Sequence, residues 1–330
     1  MFRALRITSP VDGTTEKFRV ELLEDCSEDA LGEGDVLVDV DYSSVNYKDG
    51  LALQADPAVM RLNPMIPGID LVGRVAESTD PRWAPGDSVL VNGQGLGETH
   101  HGGFAERARV SGDWLVRVPE TITPRRAASI GTAGFTAMLA VLALERADAL
   151  GGDVLVTGAA GGVGSVSIAI LSKLGHRVVA STGRLEETDY LRSLGAAEVI
   201  DRRPLAEPGK PLQRQRWSGA IDSVGSHTLV NVLAQTVYGG TVASCGLAQG
   251  SDLPATVLPF ALRGVSLVGI NSVYVGAGLR SQAWDRLGSD LDLSLLDAMS
   301  QTIGLAEVPS FASRILAGQL RGRTVVDVRN

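Results

Sequence analysis

Val154-Leu-Val-Thr-Gly-Ala-Ala-Gly-Gly-Val-Gly-Ser165 (VLVTGAAGGVGS) runs from a short apolar, β-branched segment into a cluster of small residues, and the periodic run SVSIAILSKLG follows. Strand, tiny residues, then helix is the order a dinucleotide pyrophosphate requires. The chain must turn tightly, bring its backbone close to the phosphates and aim the free N–H groups of a helix N-terminus at their charge. Aligned to G-x-G-x-x-G, the stretch reads Ala159-Ala160-Gly161-Gly162-Val163-Gly164, with Ala at the first glycine. Ala160, Gly161, Gly162 and Val163 are the candidate pyrophosphate contacts. The alternative is a tight strand-to-helix turn with no ligand.

About 20 residues beyond the glycines, NAD sites carry an Asp or Glu for the ribose 2′-hydroxyl, whereas NADP sites supply Arg and small hydroxyls for a 2′-phosphate. Here the second strand, RVVAST, ends in Ser181-Thr182-Gly183-Arg184, with no acid at its tip. Arg184 offers a charge-assisted fork, with Ser181 and Thr182 as neutral donors. Arg202, closing AEVIDR, is a second cation where a third strand brings it near the adenine ribose. The expected cofactor is NADPH. For each Arg the alternative is a solvated loop charge.

Six strand-like segments, DVLVTG, HRVVAST, AEVID, GAIDSVG, GTVASCG and VSLVGIN, mostly separated by helical patterns, suit a doubly wound parallel sheet. Before residue 125 the texture is β-rich, with short alternating runs between Gly, Pro and Asp. The expected fold is α/β: a Rossmann domain over 125–274 inserted into a β-rich, barrel-like domain of 1–124 plus 275–330. SQAWDRLGSDLDLSLLDAM, expected as one amphipathic helix, and the strand-like GRTVVDVR are assigned to the β-rich domain.

The 330 residues are 44% hydrophobic and 21% charged, with a formal net charge of -8, which disfavours nucleic acid and anionic membrane as partners. Two cysteines, Cys26 and Cys245, form no C-x-x-C pattern, so neither a disulfide framework nor a cysteine-bound zinc is expected. The start, MFRALRITSPVDG, lacks a signal-peptide core, and the apolar run AGFTAMLAVLAL (133–144) is too short to span a bilayer. A cytoplasmic location is expected.

NYKDGLA (46–52), PGIDLVGRV (67–75), GGFAERARVSGDWLV (102–116), IGTAGFTAML (130–139), STGR and AQTVYGGTVASCGLA (234–248) make the chain resemble the medium-chain dehydrogenase/reductases. Within them it is similar to the acryloyl-coenzyme A reductase branch of the zinc-free, quinone-oxidoreductase-like group. The resemblance covers essentially the whole chain and implies a GroES-like domain around the Rossmann domain. Zinc members carry G-H-E where this chain has Gly68-Ile69-Asp70, so no catalytic metal is expected. His100 and His101 are read as loop or pocket-rim residues, because neighbours on a strand point to opposite faces.

Without a metal, hydride transfer suits an electrophile such as a 2-enoyl thioester, whose enolate oxygen hydrogen-bond donors can stabilise. The resemblance places Tyr47 by the nicotinamide, to stack or to donate, with Asn46, Lys48 and Asp49 nearby. Asn46 is a candidate amide donor to the substrate oxygen. Lys48 and Asp49 have a local ion pair as their alternative, and Tyr47 an ordinary place on an amphipathic strand. Leu247, Ile270 and Asn271 are implied around the nicotinamide, as is Arg323, for which an interdomain surface is the other reading. The implied reaction is acryloyl-CoA to propionyl-CoA by an NADPH-dependent homodimer whose edge strand is VSLVGIN. A quinone or enone reductase, or a non-enzymatic NADPH-binding protein, are the competing readings. Gln94 and His101 replace two tryptophans usual in the branch, and NSVY (271–274) replaces DSVM, so the acyl preference is open.

Overall fold

The computed structural model describes residues 1–10 and 18–330; the last residues of the N-terminal stretch read for a signal peptide lie outside them. The chain divides into two units, Met1–Thr132 with Val273–Gly276 and Leu296–Asn330, and Ala133–Ser272 with Ala277–Leu295.

The second unit carries a six-stranded sheet in the order Glu198–Asp201, Val178–Thr182, Asp153–Val156, Trp217–Asp222, Thr236–Ser244, Ser266–Gly269. Every neighbouring pair is parallel. In chain order that is 3-2-1-4-5-6, the doubly wound Rossmann arrangement. All six segments expected as strands are present, and their apolar residues explain it: Leu155, Val179, Ala220 and Val242 are fully buried. Such two-sided burial calls for runs of β-branched and aliphatic residues rather than strict alternation.

The first unit is built on a mixed sheet ordered Ser300–Gly304, Arg323–Asp327, Val36–Ser44, Asp70–Ser78, Ser88–Asn92, Val116–Arg117, with Arg107–Val110 also paired to Val36–Ser44. A separate hairpin pairs Phe2–Thr8 with Arg19–Cys26. The C-terminal GRTVVDVR forms the strand Arg323–Asp327 and pairs antiparallel with Tyr42–Ser44. Gly73 permits close strand approach, since a Cβ there would collide with the backbone of Asp39 and Val40. The core beneath includes Val38, Val40, Leu71, Val91 and Phe104.

Two local expectations, and the alternative of a strand place for Tyr47, are corrected. NYKDGLA opens the helix Tyr47–Ala52 rather than continuing a strand, because the Asp49 carboxylate accepts from the Asn46 N–H (2.8 Å) and starts a helical turn. SQAWDRLGSDLDLSLLDAM is two helices, Ala277–Asp290 and Leu293–Ala298. Asp292 caps the second, accepting from Ser294 N at 2.8 Å, and Ala277–Leu295 groups with the second unit. There Trp284 stacks on Phe135 at 6.3 Å, and Arg286 bonds Glu145 at 2.8 and 3.0 Å. The apolar run 133–144 lies inside the 23-residue helix Pro124–Arg146. By length and composition that helix can cross a membrane, but 89% of its most apolar window is buried in the protein. It breaks at Gly131, at φ 48° and ψ -160°.

Candidate active site

The glycine cluster closes the first strand of the parallel sheet. Gly158 takes φ +58°, and the helix Gly162–Lys173 starts behind Gly161. Gly161 has no side chain to accept the first helical N–H groups, so these remain available to an anion. A Cβ on Gly164 would lie 2.5 Å from Gly158 O and 2.7 Å from Ala159 Cα, so the third glycine lets helix and strand pack closely. Ala160 is buried, and Gly161, Gly162 and Val163 are half-buried around the turn.

The second and third strands join their tips. Asp201 pairs with Thr182, and Arg202 N donates to Thr182 O at 2.9 Å. This register lays the Arg202 side chain across Gly183, where a Cβ would sit 2.5 Å from Nε and 2.8 Å from Cζ. Arg184 N donates to Thr182 Oγ1 at 3.0 Å. Asp201, the acid nearest this corner on the third strand, is neutralised by Arg203, whose N and Nε donate to it at 2.9 and 2.6 Å. The buried Ser181 Oγ has no protein partner. Two cations, two small hydroxyls of which one is orphaned, and a glycine beneath Arg202 fit the 2′-phosphate end of NADPH. Leu247 is 59% exposed on the loop after the fifth strand. Ile270 and Asn271 follow the sixth strand, with Ile270 N bonded to Ser244 O at 2.8 Å.

In the first unit a buried polar cluster gathers residues from across the chain. The Asp70 carboxylate accepts from Ser44 Oγ (2.6 Å), Asn46 Nδ2 (2.8 Å), Asn92 Nδ2 (2.6 Å), Thr132 Oγ1 (2.6 Å) and Thr132 N (3.0 Å). Arg323 donates to Ser129 O (2.6 Å), Ser44 Oγ (2.8 Å) and Asn46 Oδ1 (3.2 Å). Asp49 accepts from Ile69 N at 2.9 Å and Asn46 N at 2.8 Å. Burial, and then the charge of Asp70, push the Asp49 carboxyl up to about 7. Burial pulls the Arg323 guanidinium below its ordinary range, opposed by Asp70 and then Asp49.

The expected residues Asn46, Asp49 and Arg323 are thus brought together inside the first unit, and Tyr47, which follows Asn46 in the chain, is 42% exposed. The local Lys48–Asp49 ion pair is absent: Lys48 Nζ reaches Glu98 at 2.8 Å. His100 and His101 brace the backbone. His100 Nε2 bonds Glu33 O at 2.9 Å, and His101 Nδ1 accepts from Ile66 N at 3.1 Å. Burial and then the neighbouring His100 lower the His101 pKa. Gln94, one of the two departures from tryptophan, donates its backbone N–H to Val273 O at 3.3 Å, within the altered NSVY. Sequence reasoning missed Asp70, Ser44, Asn92 and Thr132. The one available signal was an acid inside the apolar run GIDLVG.

A doubly wound dinucleotide-type unit, and a mixed-sheet unit whose buried carboxylates face a guanidinium, define the class of nicotinamide-dependent oxidoreductases. Among the described residues no group of three His, Cys, Asp or Glu is placed to hold a metal ion. Residues 32–120 match the alcohol dehydrogenase GroES-like domain and 162–287 the zinc-binding dehydrogenase family. The chain is 52% identical to "Probable acrylyl-CoA reductase AcuI" of Escherichia coli (strain K12), over 91% of this chain and 93% of that protein. It is 44% identical to "Putative quinone oxidoreductase YhfP" of Bacillus subtilis (strain 168), over 99% of this chain and 98% of that one. The crystal structure of the yhdH oxidoreductase from Salmonella enterica in complex with NADP superposes with a TM-score of 0.95 at 48% identity, covering 99% of both chains. The chain belongs to the medium-chain dehydrogenase/reductase superfamily, in the acryloyl-coenzyme A reductase branch of its zinc-free group.

Proposed function

We propose that this protein reduces a short 2-enoyl thioester, acryloyl-CoA to propionyl-CoA, with NADPH and without a metal. The observation that carries this reading is the near full-length 52% identity to the Escherichia coli reductase. The unit of residues 133–272 and 277–295 binds NADP, in place of the expected 125–274, and the unit of 1–132, 273–276 and 296–330 supplies the chemistry. Amides around Ala160, Gly161, Gly162 and Val163 hold the pyrophosphate. Ser181, Thr182, Gly183, Arg184 and Arg202 hold the 2′-phosphate, and Leu247, Ile270 and Asn271 border the nicotinamide. Bound NADPH supplies the hydride for the β-carbon.

The chain's own residues then meet the charge that develops on the thioester oxygen. Tyr47 is the exposed donor. Asn46 is the second: one amide hydrogen is held by Asp70 at 2.8 Å, while the contact to Ser44 Oγ is a long 3.3 Å that a developing oxyanion can displace. Asp49 orients Asn46 through the backbone N–H, and Arg323 acts on Asn46 Oδ1 from inside the unit. The protein works in the cytoplasm as a homodimer, with no nucleic-acid or membrane partner; its net charge of -8 supports the last point.

NADPH oxidation followed with acryloyl-CoA, crotonyl-CoA and a small quinone tests the reading. The highest kcat/KM is expected for acryloyl-CoA. A tenfold or greater preference for the quinone would replace it with quinone reduction, the reading that the Bacillus relative's name favours. Consumption of no acceptor would leave a non-enzymatic NADPH binder.

A further inference from the structure

Gln94 is a long polar side chain at a position whose backbone suits glycine. It lies between Gly93 and Gly95, and all three take left-handed φ, at 69°, 57° and 83°. Glycine adopts that region freely, whereas a residue with a Cβ is strained there, so strain at one position points to a use for its side chain. Of the four non-glycine residues with positive φ among the described residues, Ala55, Gln94, Asp148 and Ser226, Gln94 has the longest side chain. It is half-buried, and its carboxamide makes no hydrogen bond with any described residue; the backbone N–H alone is bonded, to Val273 O. A carboxamide that finds neither donor nor acceptor within its own fold is satisfied by water or by a ligand.

The turn that carries Gln94 is fastened to the helix Tyr47–Ala52 on both sides of that residue. Before it, Gly93 N donates to Ile69 O at 3.1 Å, and Ile69 N donates to the Asp49 carboxylate at 2.9 Å. After it, Glu98 accepts from Lys48 Nζ at 2.8 Å. Lys48 and Asp49 directly follow Tyr47, so the free carboxamide is carried on a turn fixed against the first turn of the helix that bears the exposed donor. Val273, whose carbonyl takes the Gln94 N–H, stands two residues beyond Asn271, assigned above to the nicotinamide border. On that reading hydride reaches the β-carbon from this side, which is the acyl end of the thioester rather than its coenzyme A end. We propose that Gln94 is a specificity-determining residue that reads the acyl group, favouring a short 2-enoyl thioester with a hydroxyl at C4 over its apolar analogue. A hydroxyl both donates and accepts, as the carboxamide does. An apolar acyl group that displaces water from the carboxamide leaves both functions unmet, and sites discriminate most strongly against the analogue that strands a polar group.

The assignment rests on the thioester reading of the site, and one pair of substrates separates the two. Crotonyl-CoA and 4-hydroxycrotonyl-CoA differ only by the C4 hydroxyl, and the ratio of their kcat/KM values is measured in wild type, Gln94→Met and Gln94→Gly. Methionine keeps the length without the amide. Glycine removes the side chain and takes φ 57° without strain, which covers the case of a Met variant that does not fold. The intrinsic reactivity of the two thioesters is the same with every variant and cancels in the comparison. The ratio is expected to favour the hydroxylated substrate by about tenfold or more in wild type and to fall at least about fivefold in either variant. Binding gives a readout without turnover: 4-hydroxybutyryl-CoA is expected to bind NADP-loaded wild type at least about fivefold more tightly than butyryl-CoA, an advantage that Gln94→Gly abolishes. An unchanged ratio in the variants, or equal losses on both substrates, overturns the assignment and leaves the thioester reading intact. If the thioesters bind without being reduced, the binding pair decides by the same rule. If neither is reduced or bound, the thioester reading and this assignment both fall.

Discussion

At the residue scale, the proposed basis of cofactor choice is one corner. Arg184 follows a strand tip without an acid, Arg202 lies over Gly183, and Asp201 is neutralised by Arg203. Losing one charge-assisted contact costs about 1.5–3 kcal/mol, so Arg184→Ala is expected to weaken NADPH roughly tenfold or more and to leave NADH nearly unaffected. Fluorescence titration with both nucleotides checks this; an unchanged ratio contradicts it. Asp49 yields a second expectation, in pH dependence. Its carboxyl rises from an ordinary 3.8 to about 7 in the fold, so between those values unfolding releases a proton. The associated stability is complete below the ordinary value and is lost as pH rises through about 7, at most about 4 kcal/mol in all. Asp49→Asn removes this term, and denaturant unfolding from pH 4 to 8 should give a flatter stability curve than wild type. Parallel curves would refute it.

At the element scale, the broken helix Pro124–Arg146 is the feature that local pattern misrepresents. Its apolar residues run on through the break, but Gly131 adopts a backbone open only to glycine, against a cluster with no room for a Cβ. Gly131→Ala is expected to cost at least about 2 kcal/mol, through backbone strain and displacement of the Asp70–Ser44–Arg323 contacts. Thermal denaturation measures it, and a melting temperature within a degree of wild type would mean the site relaxes freely. The same logic explains NYKDGLA. Asp49 closing on the Asn46 N–H begins a helix that carries Tyr47 on its first turn.

At the scale of the whole molecule, the edge strand Ser266–Gly269 has an open side, and Tyr238, Val257 and Leu262 are exposed at 77%, 73% and 61%. An unpaired parallel edge with exposed apolar residues in the same unit suits pairing with a second copy across a two-fold axis. Light scattering at micromolar concentration should give twice the chain mass, and a monomer would count against the dimer. Protein purified without added zinc should contain substoichiometric metal and keep its activity after chelator treatment. Loss of activity on chelation, restored by zinc, would reverse the reading of Ile69.

The sequence by itself determined the Rossmann sheet, its glycine turn and the acid-free tip at Ser181–Arg184. Strand burial, turn glycines and the count from turn to tip are short-range properties, written within a few tens of residues. Through the family resemblance it also marked Asn46, Asp49 and Arg323 individually. Only the tertiary structure decided that these meet around Asp70, because their partners span 279 positions from Ser44 to Arg323 and no periodicity links them. It also decided that Ala277–Leu295 groups with the nucleotide unit, since Trp284 finds Phe135 there and Arg286 finds Glu145. A buried charge is positioned by the sum of its distant donors, and that sum exists only once the strands have been brought together.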